Sequence, residues 1–150
     1  EVGDAAPDFE LPASDGRTYR LSDFEGKSSV ILAWFPRAFT SGCTLECKAL
    51  AENGQRLRAY DVTYFMISVD PLAENTAFAD SLDADFPLLS DVTKEAARVY
   101  GVLYENRFAL RYNFFIDEEG IIRAIDSNVD PQSVVEDMID TLERLDVPAP

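Results

Sequence analysis

The run Val30-Ile31-Leu32-Ala33-Trp34-Phe35-Pro36-Arg37-Ala38-Phe39-Thr40-Ser41-Gly42-Cys43-Thr44-Leu45-Glu46-Cys47 decides how the chain is read. Its first six residues are all apolar, the pattern of a strand buried on both faces. Pro36 ends that strand, since proline cannot donate to a ladder. Thr40 or Ser41 can cap the next helix. A helical pattern runs over residues 44–58: Leu45, Ala49, Leu50, Leu57 and, just beyond, Tyr60 recur at helical spacing, with Glu46, Lys48, Glu52, Gln55, Arg56 and Arg58 largely elsewhere. Gly54 weakens the middle of that helix. Cys43 therefore falls where a buried strand gives way to a helix start. Unpartnered N–H groups and partial positive charge gather at such a start, and a thiol ionises more easily there.

The flanking sequence supplies a scaffold. Residues 6–12 read as extended, Ser14-Asp15-Gly16-Arg17 as a turn, and residues 18–21 as a strand pairing back into a hairpin. Residues 22–27 read as a loop or a single helical turn. Residues 62–69 form a second buried strand. Asp70-Pro71 then opens a helix over residues 72–82, with Asp70 as cap and Pro71 in the first helical position. Residues 86–91 are extended, and residues 93–100 form a helix closed by Gly101. Residues 112–116 are a third apolar strand, Asp117-Glu118-Glu119-Gly120 a tight turn, and residues 121–125 a returning strand. A final amphipathic helix over 131–145 carries Val134, Val135, Met138, Ile139, Leu142 and Leu145 on one side, and residues 147–150 are a tail.

Strands alternating with helices predict an α/β fold, and the late hairpin makes its sheet mixed. Functional sites in such sheets lie beyond the carboxyl ends of the strands, where Cys43 falls. The length of 150 residues predicts one domain, spanning 1–150.

Composition narrows the chemistry. A net charge of −15, from 28 acidic and 13 basic residues, argues against nucleic acid and anionic membrane surfaces as partners. Only Lys27, Lys48 and Lys94 are lysines, a balance that suits a salty environment as well as an ordinary acidic surface. No apolar stretch approaches the roughly 20 residues of a membrane span. No secretory signal is visible. The compartment stays open, cytoplasmic by default, and exported or periplasmic if a signal peptide was removed before Glu1. The chain has no histidine, so Cys-His pairs, His general bases and His-containing metal sites are excluded. Two cysteines four residues apart are too few for a disulfide framework. They point to redox chemistry or to a soft-metal half-site, and no cofactor is implied.

Cys43 has an ordinary alternative as a small buried hydrophobe. Its neighbours favour chemistry. Thr40 puts a hydroxyl one helical turn before the sulfur, Gly42 lets a backbone N–H approach a ligand, and Pro36 can shield a pocket. The same three residues also serve as cap, turn glycine and strand stop.

Pro36, Thr40 and Cys43 fit P-x-x-x-[TS]-x-x-C, and the segment 35–46 resembles the peroxiredoxins of the AhpC/TSA superfamily. The likeness is strongest to the bacterioferritin-comigratory-protein (PrxQ) branch. It extends to residues 2–11, 21–27, 86–91 and 100–102, and to Arg111-Tyr112-Asn113-Phe114-Phe115-Ile116-Asp117. The resemblance implies a thioredoxin-like fold: a central mixed β-sheet flanked by helices, with an N-terminal β-hairpin extension. It implies a thiol peroxidase acting on hydrogen peroxide or organic hydroperoxides, recycled by a thioredoxin-like protein reductant, as a monomer or weak homodimer. Cys43 would be the peroxidatic residue, Thr40 would hydrogen-bond the peroxide, and Arg111 would stabilise the developing charge. Glu46 would orient Arg111. From the residues alone, Arg111 borders an apolar strand, where a charge needs a partner or a purpose. Arg107 is its nearest competitor.

Cys47 departs from the pattern, which often spaces its helical second cysteine five residues on rather than four. An intact helix holds the Cβ atoms of such a pair about 5–6 Å apart, whereas a disulfide needs about 3.8 Å. Cys47 resolves Cys43, on this reading, only if the first helical turns unwind; otherwise it is a core cysteine beside a one-cysteine mechanism. Asn113, where the branch often has threonine, and Trp34, where Tyr or Phe is commoner, are smaller departures. C-x-x-x-C also resembles thioredoxin-like Cu(I)-binding proteins, though their histidine ligand is missing here. A thiol-disulfide exchange protein is a further alternative, without its usual C-x-x-C, as is a non-catalytic interaction domain.

Overall fold

The computed structural model describes residues 1–149; of the expected tail, only Pro150 lies outside the described residues. The central sheet is built on β3 (Ser29–Trp34), which carries most of the apolar run that leads to Pro36. Parallel to it lies β4 (Val62–Ser68), and beyond that β5 (Leu88–Ser90). On the other side β8 (Tyr112–Ile116) runs antiparallel, followed by β9 (Ile122–Asp126), so the order is β5-β4-β3-β8-β9 and the sheet is mixed. A separate hairpin of β1 (Glu10–Pro12) and β2 (Thr18–Arg20) forms the N-terminal extension.

Alternation along the strands divides the core between the two faces. Ile31, Ala33 and Phe35 face α1 (Ser41–Asn53), α2 (Leu72–Ser81) and α4 (Val134–Arg144). Val30, Leu32 and Trp34 face the N-terminal hairpin and α3 (Glu95–Val99). On α4, Val134, Val135, Met138 and Leu142 are buried, as its periodicity predicts.

Three expectations are corrected, and one element is added. The first helix does not run to residue 58: α1 stops at Asn53 and tightens into a 3-10 segment, Gly54–Ala59. Gly54 marks the junction because a Cβ there would come 2.5 Å from Tyr64 Oη. The buried face of α1 also differs, since Leu45 is 41% exposed while Glu46 is fully covered. Asp70 does not cap α2. Pro71 holds the cap position, and the Asp70 carboxylate turns instead to the Ala38 N–H, 2.8 Å away. Finally, a hairpin of two short strands, β6 (Leu103–Tyr104) and β7 (Phe108–Ala109), invisible to periodicity, precedes β8.

Candidate active site

The segment between β3 and α1 makes two sharp adjustments. The Phe35 N–H still donates to Ile67 O at 2.9 Å, and Pro36 then ends the ladder. Phe39 adopts φ +64°, a left-handed conformation that a bulky residue holds only when its surroundings impose it. Its ring meets Phe78 edge-on, with centroids 5.1 Å apart. Thr40 is then extended at the helix cap, and its carbonyl accepts the first helical bond from the Thr44 N–H at 2.8 Å. The Thr40 hydroxyl does not cap the helix; it donates to Arg37 O at 2.8 Å.

Cys43, Glu46 and Cys47 occupy one face of α1, as positions three and four apart must. All three are fully buried, and both cysteines are free thiols. Arg111 reaches this face from the start of β8. The antiparallel register, with Trp34 opposite Tyr112, lays that start beside the end of β3. Arg111 Nη2 donates to Cys43 Sγ at 3.2 Å, and Nη1 donates to Glu46 Oε1 in an ion pair. Gly42 makes room for this: a Cβ there would lie 3.0 Å from Arg111 Nη2. Arg107, the competing arginine, is exposed and apart from this cluster.

Burial dominates the electrostatics. It pushes the Glu46 carboxyl up to about 7, against the pull of Arg111. It pushes the Cys47 thiol up to about 12, helped by the negative charge of Glu46 and Cys43. Arg111 is disfavoured as a cation by burial, yet Glu46 and Cys43 outweigh this and hold it above its ordinary value. Among the described residues, Glu46 Oε2 has no partner. The sulfur, the guanidinium and the helix start form a compact site for a nucleophilic thiolate and an oxyanion.

The structure thus gathers Cys43, Glu46 and Arg111, with Cys47 one turn deeper and Pro36 and Thr40 on the approach to the helix. Sequence reasoning misses the partners behind that approach. Asp70 reaches Ala38, and its only visible signal, an Asp-Pro after a buried strand, points to a helix cap instead. Asn113 is buried and, among the described residues, its Oδ1 is unpartnered, as is Trp34 Nε1. A cavity of about 210 Å³ opens at the other end of the strands, beside Ser29, Asp61 and Pro148, and contains none of these residues.

Known proteins resemble this chain in sequence and in fold. The profile of the AhpC/TSA family matches residues 2–125. The chain is 33% identical over 132 residues to peroxiredoxin Bcp of Escherichia coli, covering 83% of this chain and 84% of that one. It is 35% identical over 133 residues to the chloroplastic 2-Cys peroxiredoxin BAS1 of Spinacia oleracea, spanning 81% of this chain and 50% of that one. Among solved structures, peroxidoxin BcpB of Mycobacterium tuberculosis superposes with a TM-score of 0.87 at 28% identity, covering 97% of both chains.

Proposed function

This chain belongs to the AhpC/TSA family, and on that premise we propose that it is a thiol-dependent peroxidase in which Cys43 is the peroxidatic residue. The observation that carries the reading is the Arg111 guanidinium spanning Cys43 Sγ and Glu46. The Cys43 thiolate attacks one peroxide oxygen. The O–O bond breaks, its electron pair leaves on the second oxygen, and that oxygen takes a proton to become water or an alcohol. Cys43 is left as a sulfenic acid. Arg111 stabilises the negative charge as it moves from sulfur to the leaving oxygen. Thr40 has committed its hydroxyl proton to Arg37 O, so its lone pairs are free to accept from the peroxide O–H. Glu46 holds the guanidinium in plane, and Pro36 bounds the pocket.

Cys47 then condenses with the sulfenic acid, forming the disulfide and releasing water. Continuous helix through Ser41–Asn53 keeps the two sulfurs from bonding, so the first turns of α1 open before this step. Opening also returns the Cys47 thiol from about 12 towards the ordinary range, where it can attack as thiolate. A thioredoxin-like dithiol protein reduces the disulfide and becomes oxidised itself, and residues 1–150 act as one peroxiredoxin domain. The full burial of Cys47 also supports a one-cysteine mechanism, in which an external thiol reduces the sulfenic acid directly.

Stopped-flow mixing of reduced protein with one equivalent of hydrogen peroxide tests the reading, with Trp34 fluorescence as reporter. Thiol loss about 10³-fold faster than for free cysteine is expected, abolished by Cys43→Ser. A wild-type rate equal to that of free cysteine overturns the peroxidase. Mass spectrometry of the product separates the routes: an internal disulfide supports resolution by Cys47, and sulfenic acid with free Cys47 supports the one-cysteine route.

A further inference from the structure

A second buried polar cluster holds the chain just before Cys43. Ser68 and Asn75 are fully covered, Ser90 is 1% exposed and Asp70 8% exposed. Asp70 Oδ2 accepts from the Ala38 N–H at 2.8 Å and from the Ser68 hydroxyl at 2.9 Å. Ser68 Oγ accepts in turn from Asn75 Nδ2 at 2.9 Å, and Asp70 Oδ2 is the nearer acceptor for its single proton, with Asn75 Oδ1 farther off at 3.3 Å. Asn75 Nδ2 also reaches Ser90 Oγ at 2.9 Å and Leu89 O at 3.2 Å. Through Asp70 the Ala38 amide is therefore tied to β4, α2 and β5 together.

The tie falls at a telling point. Ala38 immediately precedes Phe39, whose φ of +64° needs outside support. It also lies inside the Arg37–Thr40 turn, which the Thr40 hydroxyl closes. None of these groups touches the reacting sulfur, and their shared product is the placement of the turn.

We propose that Asp70 is a positioning residue for peroxide reduction: by accepting the Ala38 N–H, its carboxylate fixes the Arg37–Thr40 turn and so aims the Thr40 oxygen at the peroxide. The inference rests on the peroxidase reading. It assigns Asp70 no contact with substrate and no proton to move.

The test compares two reactions of the same sulfur. Peroxide needs the Thr40 oxygen in place; iodoacetamide, an alkylating agent, does not. In Asp70→Ala the peroxide rate falls about 10- to 100-fold, while alkylation of Cys43 is unchanged or faster because the turn is loosened. Asp70→Asn keeps a carbonyl oxygen for the Ala38 N–H and retains the peroxide rate to within about threefold. Ser68→Ala removes the bond that orients the carboxylate, along with the acceptor that Ser68 Oγ offers to Asn75 Nδ2 and the Asp70 N–H, but leaves the Asp70–Ala38 bond in place; it serves if Asp70→Ala does not fold, and its peroxide rate falls about 3- to 10-fold with alkylation intact. A folded Asp70→Ala or Ser68→Ala with the wild-type peroxide rate overturns the proposal, as do peroxide and alkylation rates that fall together in either. A wild-type protein no faster than free cysteine overturns the peroxidase reading instead, so the two failures are distinct.

Discussion

Two buried polar clusters grip the same short stretch of chain, and they are finished to different degrees. The Arg111 cluster touches the Cys43 sulfur and, among the described residues, leaves Glu46 Oε2 buried without a partner. Its carboxyl is pushed up to about 7 and the neighbouring Cys47 thiol to about 12, both chiefly by burial. The Asp70 cluster touches no reacting atom, and among the described residues none of its buried side-chain atoms lacks a partner. Incomplete satisfaction in a low dielectric is costly, and complete satisfaction makes a cluster rigid. On the proposed mechanism the first cluster opens when α1 unwinds for resolution, and the second keeps the approach to the helix fixed while it does.

The largest expected effect is on the Arg111 side. Arg111→Lys keeps the charge but replaces a planar fork with a single ammonium, which cannot bridge Cys43 Sγ and Glu46 in one plane. The peroxide rate should fall about 10²- to 10³-fold in a protein that still folds, measured by stopped flow at neutral pH. If lysine stays within about fivefold of wild type, charge alone suffices and the geometric half of the contrast is lost.

Glu46→Gln measures the cost of incomplete satisfaction directly. A glutamate in the unfolded chain titrates near 4.5, and in the fold burial raises Glu46 to about 7. The folded state holds that proton more tightly, so the stabilisation is fully present below about 4.5 and is lost as pH rises through about 7. Wild type should lose on the order of 3 kcal/mol relative to Glu46→Gln across that window, read from denaturant unfolding at a series of pH values. Repulsion among the remaining acidic residues is nearly common to both proteins and cancels in the difference. Parallel curves would show that Glu46 is comfortably ionised, and that the two clusters are alike.

Legibility in the sequence tracks the same divide. Cys43, Thr40 and Arg111 can be named because the strand-to-helix junction and the family motif mark them, and the mixed sheet comes from apolar runs and a late hairpin. Glu46 receives an orienting role only through that motif; its spacing places it on the polar side of α1, yet the structure buries it completely. Periodicity sorts residues by hydropathy, and a charge paired across the fold has no signature in its own helix. Leu45 shows the reverse error, an apolar residue turned to solvent on a helix whose buried positions include two cysteines and a glutamate. Asp70 is invisible for a different reason. Asp-Pro after a strand is the local signal of a helix cap, and only the tertiary arrangement turns that carboxylate towards Ala38. Phe39 carries no mark either, since a positive φ is expected of glycine or asparagine rather than of an aromatic residue.

The smallest effect probes redundancy in the second cluster. Asn75 Nδ2 has two protons and three acceptors within reach: Ser68 Oγ, Ser90 Oγ and Leu89 O. Ser90→Ala removes one acceptor and leaves one for each proton, so no buried donor is orphaned. The cost is then the net worth of a single hydrogen bond, about 1 kcal/mol, or roughly 2–4 °C in melting temperature for a chain of this size. The tie from Asp70 to Ala38 is untouched, and the peroxide rate should match wild type. A tenfold slower rate in Ser90→Ala would mean that the cluster transmits every perturbation to the turn. Rigidity would then come from tension among its members, and the supporting cluster would be as finely poised as the one at the sulfur.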